Sequence, residues 1–153
     1  MENAKTITVA DVMTKSVISV DASMTINETA KMMEDAKVGA VIIMENNTPA
    51  GIVTDRDFAV KVAAHAYEIS SPIKQIMSSP LLSINSDESV RNAADLMHGR
   101  GVRKLPVISD DKVVGIITAT DIVNLLAVCV EEDMRDMYFH SLARIYTNYS
   151  PYN

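Results

Sequence analysis

The sequence predicts an α/β chain (α+β by some schemes) made of two strand-helix-strand-strand-helix repeats, packed sheet to sheet and followed by an extended C-terminal helix. Three observations carry this prediction. Gly51-Ile52-Val53-Thr54-Asp55-Arg56-Asp57 recurs as Gly115-Ile116-Ile117-Thr118-Ala119-Thr120-Asp121, at an offset of 64 residues. The same offset carries Val12-Met13-Thr14 onto Ile76-Met77-Ser78, Ala30 onto Ala94, Met33 onto Met97 and Val38 onto Val102, with no gap. Short apolar runs alternate with stretches of helical period inside each copy.

In the first copy, Ser16 to Val20 reads as a short strand and Asp21 to Thr25 as the turn out of it. Thr25-x-x-Glu28 is a capping box that starts a helix, with Ile26, Ala30, Met33 and Val38 at helical spacing. Gly39 to Met44 is a strand, Glu45 to Pro49 a hairpin loop by composition, Ala50 to Val53 the returning strand, and Asp55 to about Ala64 a second helix. His65 to Pro72 forms the linker, with Pro72 opening a short helix from Ile73 to Met77.

The second copy repeats the order. Leu81 to Ile84 is a strand, a helix runs from Ser86 or Asp87 through His98, and strands Lys104 to Ile108 and Val113 to Ile117 flank the turn Ser109 to Lys112. A helix then starts near Thr120 and continues through Val123, Leu126, Val130, Met134, Met137-Tyr138, Leu142 and Ile145. Arg135 lies within helical reach of Glu131 and Glu132. Four of the five tyrosines (Tyr138, Tyr146, Tyr149, Tyr152) fall in this extension, beside Phe139. It therefore either forms an interface or folds back onto its own chain. A unit of this kind has a small sheet with one face to cover, and two copies can cover each other. The predicted division is 8–66, 72–130 and a C-terminal extension and tail over 131–153.

Composition narrows the function. Among 153 residues, 48% are hydrophobic and 22% charged, enough apolar side chain for a core. The net charge of −6 argues against nucleic acid, although Arg56, Arg100, Arg103 and Lys104 are the cations such a role would use. Cys129 has no second cysteine to pair with and reads as a small buried hydrophobe. The start Met-Glu-Asn-Ala-Lys lacks the blocks of a signal peptide and no apolar run approaches a membrane span, so the expected location is cytoplasmic. His65, His98 and His140 share no metal-ligand spacing with each other or with Cys129. There is no phosphate loop, dinucleotide fingerprint or serine elbow, and no base and nucleophile pair stands out.

The residues present suit holding a nucleotide. Asp57 and Asp121 lie just past strand ends, where a carboxylate can accept hydrogen bonds from both ribose hydroxyls, and Thr54 and Thr118 add hydroxyls close by. The plainer reading is that Thr-x-x-Asp caps a helix. Its repetition after matched glycines favours the binding role. Arg103 and Lys104 offer a cationic end for phosphates; their counterparts Gly39 and Ala40 have no charge, whereas Arg56 matches Thr120. The two prospective sites are not equivalent.

These residues resemble a known pattern. Asp-Val-Met-Thr and Gln-Ile-Met-Ser, Gly-Val-Arg-Lys-Leu-Pro-Val, and the paired Gly-Ile-Val-Thr-Asp-Arg-Asp and Gly-Ile-Ile-Thr-Ala-Thr-Asp look like cystathionine beta-synthase (CBS) domains over roughly residues 8 to 128. The chain thus resembles a stand-alone tandem pair, the Bateman module. The resemblance implies two clefts between the repeats that bind adenosine-containing ligands: AMP, ADP or ATP, with S-adenosylmethionine or NAD as further candidates. It places ribose on Thr54 and Asp57 in one cleft and on Thr118 and Asp121 in the other. The purine falls on Val17, Ile18 and Val41, or on Leu81, Leu82 and Pro106. Phosphates fall on Arg103 and Lys104, with Arg56 and Thr120 as further positions. It implies a homodimer. The departure from the pattern at Gly39 and Ala40, which supply no cation, predicts one strong site and one weak or empty one; the lack of a base and nucleophile pair predicts no catalysis, and the expected output is in trans through a protein partner. The alternatives are an adaptor with unoccupied clefts and, last, a nucleotide-acting enzyme.

Overall fold

In a computed structural model, residues 6–128 and 132–147 are described, so the expectations placed on Cys129, Val130, Glu131, Tyr149 and Tyr152 fall outside the described residues. The elements run α1 (Val9–Val12), β1 (Ser19–Asp21), α2 (Ile26–Ala36), β2 (Ala40–Glu45), β3 (Thr48–Thr54), α3 (Asp55–Asp57) continuing as a π-helical segment Phe58–Ala64, a 3-10 turn Ile73–Gln75, β4 (Ile84–Asn85), α4 (Val90–Arg100), β5 (Lys104–Ser109), β6 (Lys112–Thr118), α5 (Ala119–Val128) and α6 (Glu132–Thr147). The predicted order of two strand-helix-strand-strand-helix repeats is present, in two three-stranded sheets, β1-β2-β3 and β4-β5-β6.

The compact units are offset from the sequence repeats. One unit is Val17–Leu82; the other joins the chain up to Ser16 with the chain from Ser83 on. The opening of each repeat therefore serves the sheet of the other. Thr14 exchanges backbone hydrogen bonds of 2.9 Å with Ile116 in both directions, and Ser78 exchanges bonds of 2.9 and 3.1 Å with Ile52. The duplicated glycines lie beside these crossings. A Cβ on Gly51 would stand 2.5 Å from the Ser78 carbonyl oxygen and 2.9 Å from Met77 Sδ. One on Gly115 would stand 2.5 Å from Met13 Sδ and 2.9 Å from the Thr14 carbonyl oxygen. The Met-Thr and Met-Ser openings and the glycines thus recur together because each methionine lies against the glycine of the other repeat.

In the unit Val17–Leu82, β1 runs parallel to β2, with Ser19 opposite Ile42 and Asp21 opposite Met44, and β2 pairs antiparallel with β3. Residues Ala40 to Ile43 of the central β2 are all buried, which its unbroken apolar run requires. The loop expected over Glu45 to Pro49 is tighter: Asn46 and Asn47 alone turn the chain, at φ 52° and 59°, and β3 already includes Thr48 and Pro49. Positive φ at both central residues gives the turn whose twist matches the strands, and asparagine tolerates it. Val20, Ile26, Met33, Val41, Ile43, Val53, Ile73 and Ile76 form the core. The first strand is shorter than expected and begins at Ser19, not Ser16. The helix expected from Ile73 to Met77 is one 3-10 turn, with Pro72 as its N-cap.

The capping box at α2 forms as predicted. Glu28 N–H donates to Thr25 Oγ1 at 3.2 Å, and the Glu28 carboxylate accepts from Thr25 N–H at 3.0 Å and Thr25 Oγ1 at 2.7 Å. The Thr25 hydroxyl, and then its N–H, lower the Glu28 pKa from its ordinary value. A carboxylate lowered in the folded state contributes stability above its unfolded pKa, and this is lost as pH falls through the lower folded value. Glu28→Gln should therefore flatten the decline of the melting temperature across the acid range below about pH 5. Thermal melts of both proteins at stepped pH values check this, and unchanged slopes would contradict it.

In the other unit, β4 runs parallel to β5, and β5 pairs antiparallel with β6. Its hairpin turns at Asp110 and Asp111 (φ 49° and 59°), the repeat positions of Asn46 and Asn47. α4 starts at Val90, capped by Ser89, whose Oγ accepts from Asn92 N–H at 3.0 Å, so the expected start at Ser86 or Asp87 was too early. Ser89 is the repeat position of Thr25, but Asn92 stands where Glu28 does, and the cap is one-sided. β4 is only two residues long, against the expected Leu81 to Ile84. In the first unit Ile42 N–H donates to the Ile18 carbonyl at 2.9 Å; its counterpart Pro106 has no N–H, and the parallel ladder begins one position later, at Ile84.

The C-terminal extension packs back. α6 lies against α4 and α5, an arrangement that one straight helix from Thr120 to Ile145 does not allow. Tyr138 (3% exposed), Ser141 and Ile145 (5%) form its buried face, at spacings of three and four residues. Arg144 bridges to Asp95 at 3.0 Å, and the Arg144 carbonyl lies 2.5 Å from His98 Nδ1. The fold-back reading accounts for this face. Phe139, 61% exposed, lies outside it.

Candidate functional site

Each repeat brings its Thr-x-x-Asp to the corner between the last strand and the following helix. Asp121 Oδ2 accepts from Thr118 N–H at 2.8 Å and Thr118 Oγ1 at 2.9 Å, while Thr118 Oγ1 accepts from Asp121 N–H at 3.2 Å. Asp57 Oδ2 accepts from Thr54 N–H at 2.8 Å and Thr54 Oγ1 at 3.2 Å. The capping role is therefore real in both copies. It uses one carboxylate oxygen and leaves the chemistry of the other open.

Around Asp121 the predicted site residues converge. Lys104 pairs with Thr118 across β5 and β6, and Ala119 N–H donates to the Arg103 carbonyl at 2.9 Å. Arg103, Lys104, Thr118 and Asp121 thus share one end of the hairpin, with Pro106 buried two positions along β5. Thr120 is exposed on the first turn of α5. The Arg103 guanidinium lies 4.7 Å from the centroid of the Tyr146 ring, so α6 reaches this end as well.

The matching corner of the first repeat is built differently. Asp55 N–H donates to the Gly39 carbonyl at 3.2 Å, the counterpart of the Ala119 to Arg103 bond, but Gly39 and Ala40 bring no cation. Arg56 is exposed on α3, and Val41 is buried opposite Val53. Val17 and Ile18, and likewise Leu81 and Leu82, are half-buried segments entering their strands. Asp57 carries an ion pair that sequence reading missed: Lys61 Nζ lies 3.1 Å from its Oδ1, and the same ammonium donates to the Ile76 carbonyl at 2.5 Å. The signal was available, because Asp57 and Lys61 stand at i and i+4 of a helix. Tyr146 over Arg103 was also missed, and there no spacing pointed to it. A cavity lined by Ser83, Ile84, Asn85, Glu88, Asn92 and Leu96 contains none of the predicted site residues.

Among the described residues no group of three or more histidine, cysteine, aspartate or glutamate side chains is placed to hold a metal ion. No helix among them is long and apolar enough to cross a membrane.

The duplicated three-stranded units, each with a Thr-Asp corner, define a tandem repeat module of the β-α-β-β-α kind. The chain belongs to the CBS domain family, whose model matches residues 9–64 and 73–128. It is 34% identical over 114 residues to the CBS domain-containing protein YhcV of Bacillus subtilis, covering 74% of this chain and 81% of that one. An uncharacterized conserved protein of Pyrococcus horikoshii shares the fold, with a TM-score of 0.76 at 20% identity over 82% of this chain and 96% of that one. The CBS domain pair of protein MJ0100, solved in complex with 5′-methylthioadenosine and S-adenosyl-L-methionine, is 27% identical, with a TM-score of 0.71, over 80% of this chain and 97% of that one. CBS domains are typically non-catalytic, and this chain is a tandem pair of them.

Proposed function

We propose that the chain is a regulatory module that binds an adenosine-containing ligand at the corner formed by Thr118 and Asp121, and that occupancy is read out through a homodimer or a protein partner in the cytoplasm. The observation that carries this reading is the state of Asp121. One of its oxygens caps α5, and among the described residues the other has no protein partner, at the end of the hairpin where Arg103 and Lys104 also lie. A ribose diol needs an ionised acceptor of this kind, and a phosphate chain needs cations within a few ångströms of it. The ligand pair bound by MJ0100, both adenosine compounds, supports the class. AMP, ADP and ATP suit the two cations best; S-adenosylmethionine and NAD are the further members of the panel. Regulation then requires only that the ligand bind one arrangement of the module better than another.

Calorimetric titration with AMP, ADP, ATP, NAD, S-adenosylmethionine and 5′-methylthioadenosine tests the reading. Removing a charged acceptor that pairs with ligand hydroxyls forfeits about 1.5–3 kcal/mol, so Asp121→Ala should weaken the preferred ligand by about tenfold to a hundredfold. Silence across the panel at millimolar concentration would overturn it in favour of an adaptor.

A further inference from the structure

The two repeats present the same Thr-x-x-Asp corner, but the side chains around it differ. We propose that Lys61 takes the place of a ligand on Asp57, so that the chain binds one adenosine-containing molecule, at Asp121, and Lys61 sets that stoichiometry. The inference rests on the reading of Asp121 as a ribose acceptor and adds which corner is closed, and by what.

The ammonium of Lys61 is held at two points, Asp57 Oδ1 at 3.1 Å and the Ile76 carbonyl. The pair is largely covered: the Asp57 side chain is 14% exposed and that of Lys61 30%. Asp57 Oδ2 is already committed to Thr54 N–H and Oγ1. Both oxygens are thus engaged by the chain itself. A ribose hydroxyl would have to displace a cation with a neutral donor and leave the ammonium half-buried with one contact fewer, an unfavourable exchange. In the second repeat the counterpart of Lys61 is Leu125, which has no charge to offer, and among the described residues Asp121 Oδ1 has no partner, which leaves it for a ligand. The cations are distributed in the same sense: Arg103 and Lys104 stand by Asp121, whereas Gly39 and Ala40 stand by Asp57. The first repeat carries its positive charge on the carboxylate, the second carries it where phosphates would lie.

Lys61→Leu, which installs the second repeat's own residue, should open the closed corner. Equilibrium dialysis with adenosine and with ATP reads the number bound per chain. The wild type should bind one, lost in Asp121→Ala. Lys61→Leu should bind two molecules of adenosine, and adding Asp57→Ala should return it to one. The opened corner has Gly39 and Ala40 in place of Arg103 and Lys104 and keeps the exposed Arg56 as its phosphate cation, so it should take ATP at least about tenfold more weakly than the Asp121 corner does. Lys61→Gln, which keeps a donor for the Ile76 carbonyl while removing the charge, should give the same gain if the leucine variant folds poorly. One molecule bound by the wild type and by both Lys61 variants overturns the role of Lys61 and leaves the Asp121 reading standing, as does a wild type that binds two. Binding abolished by Lys61→Leu makes Lys61 a ligand residue and also overturns it. If the wild type binds none but Lys61→Leu binds one through Asp57, the Asp121 reading fails and the inference about Lys61 holds; none in any protein overturns both.

Discussion

Gly51→Ala is expected to lower the melting temperature by about 6–12 °C, the equivalent of about 3 kcal/mol in a domain of this size. The added methyl would meet the Ser78 carbonyl oxygen at 2.5 Å, and that oxygen is fixed by its hydrogen bond from Ile52 N–H at 3.1 Å. Neither the strand nor the crossing segment can move without losing the ladder between them. Gly115→Ala should be milder and differently rescued. There the nearest atom is Met13 Sδ, at 2.5 Å, the far part of a flexible side chain, with the Thr14 carbonyl oxygen at 2.9 Å. Met13→Ala should therefore recover more of the Gly115→Ala loss than Met77→Ala recovers of the Gly51→Ala loss, measured as coupling in two double-mutant cycles. Gly99→Ala is the control: nothing lies within 4 Å of a Cβ there, and in helix α4 alanine should stabilise by about 0.5–1 kcal/mol. Equal losses at Gly51 and Gly99 would refute the close-approach account.

These glycines also show how far the sequence could be read. The offset of 64 residues exposed both the glycines and the Met-Thr and Met-Ser openings as duplicated features. It could not show that they touch crosswise, because a repeat ladder aligns each residue with its counterpart, not with its neighbour in space. The hairpins, the Thr25 to Glu28 cap and the Thr-Asp corners were legible because each is settled by residues within four positions of one another. The late start of β4 follows from a missing N–H on Pro106, a residue placed in the purine pocket without regard to its effect on the ladder. The start of α4 was misread although Ser89 is the repeat position of Thr25, because Asn92 in place of Glu28 removed half of the capping signature. At the candidate site the repeat pointed to the paired Thr and Asp residues, but the ion pair on Asp57 comes from Lys61, where the repeat is broken. Departures from the duplication, more than its matches, separate the two corners.

The C-terminal helix departs most, and its substitutions should divide sharply. Ile145→Ala and Tyr138→Ala should each destabilise the protein by about 2–5 kcal/mol, because both side chains are almost fully buried where α6 packs on α4 and α5. Phe139→Ala, on the outer side of the same helix, should change stability by less than about 0.5 kcal/mol at low protein concentration. Urea unfolding at two protein concentrations separates fold-back from interface. A helix that belongs to its own unit gives concentration-independent losses at positions 138 and 145. A helix that serves as an interface gives a loss at Phe139 that grows as the protein concentration is raised and vanishes on dilution, because stability gained from association follows mass action. The outcome bears on the site, since Tyr146 follows Ile145 and stacks on Arg103 at 4.7 Å. Loosening the buried face of α6 should therefore also loosen the Tyr146 ring over Arg103, the proposed phosphate-binding cation.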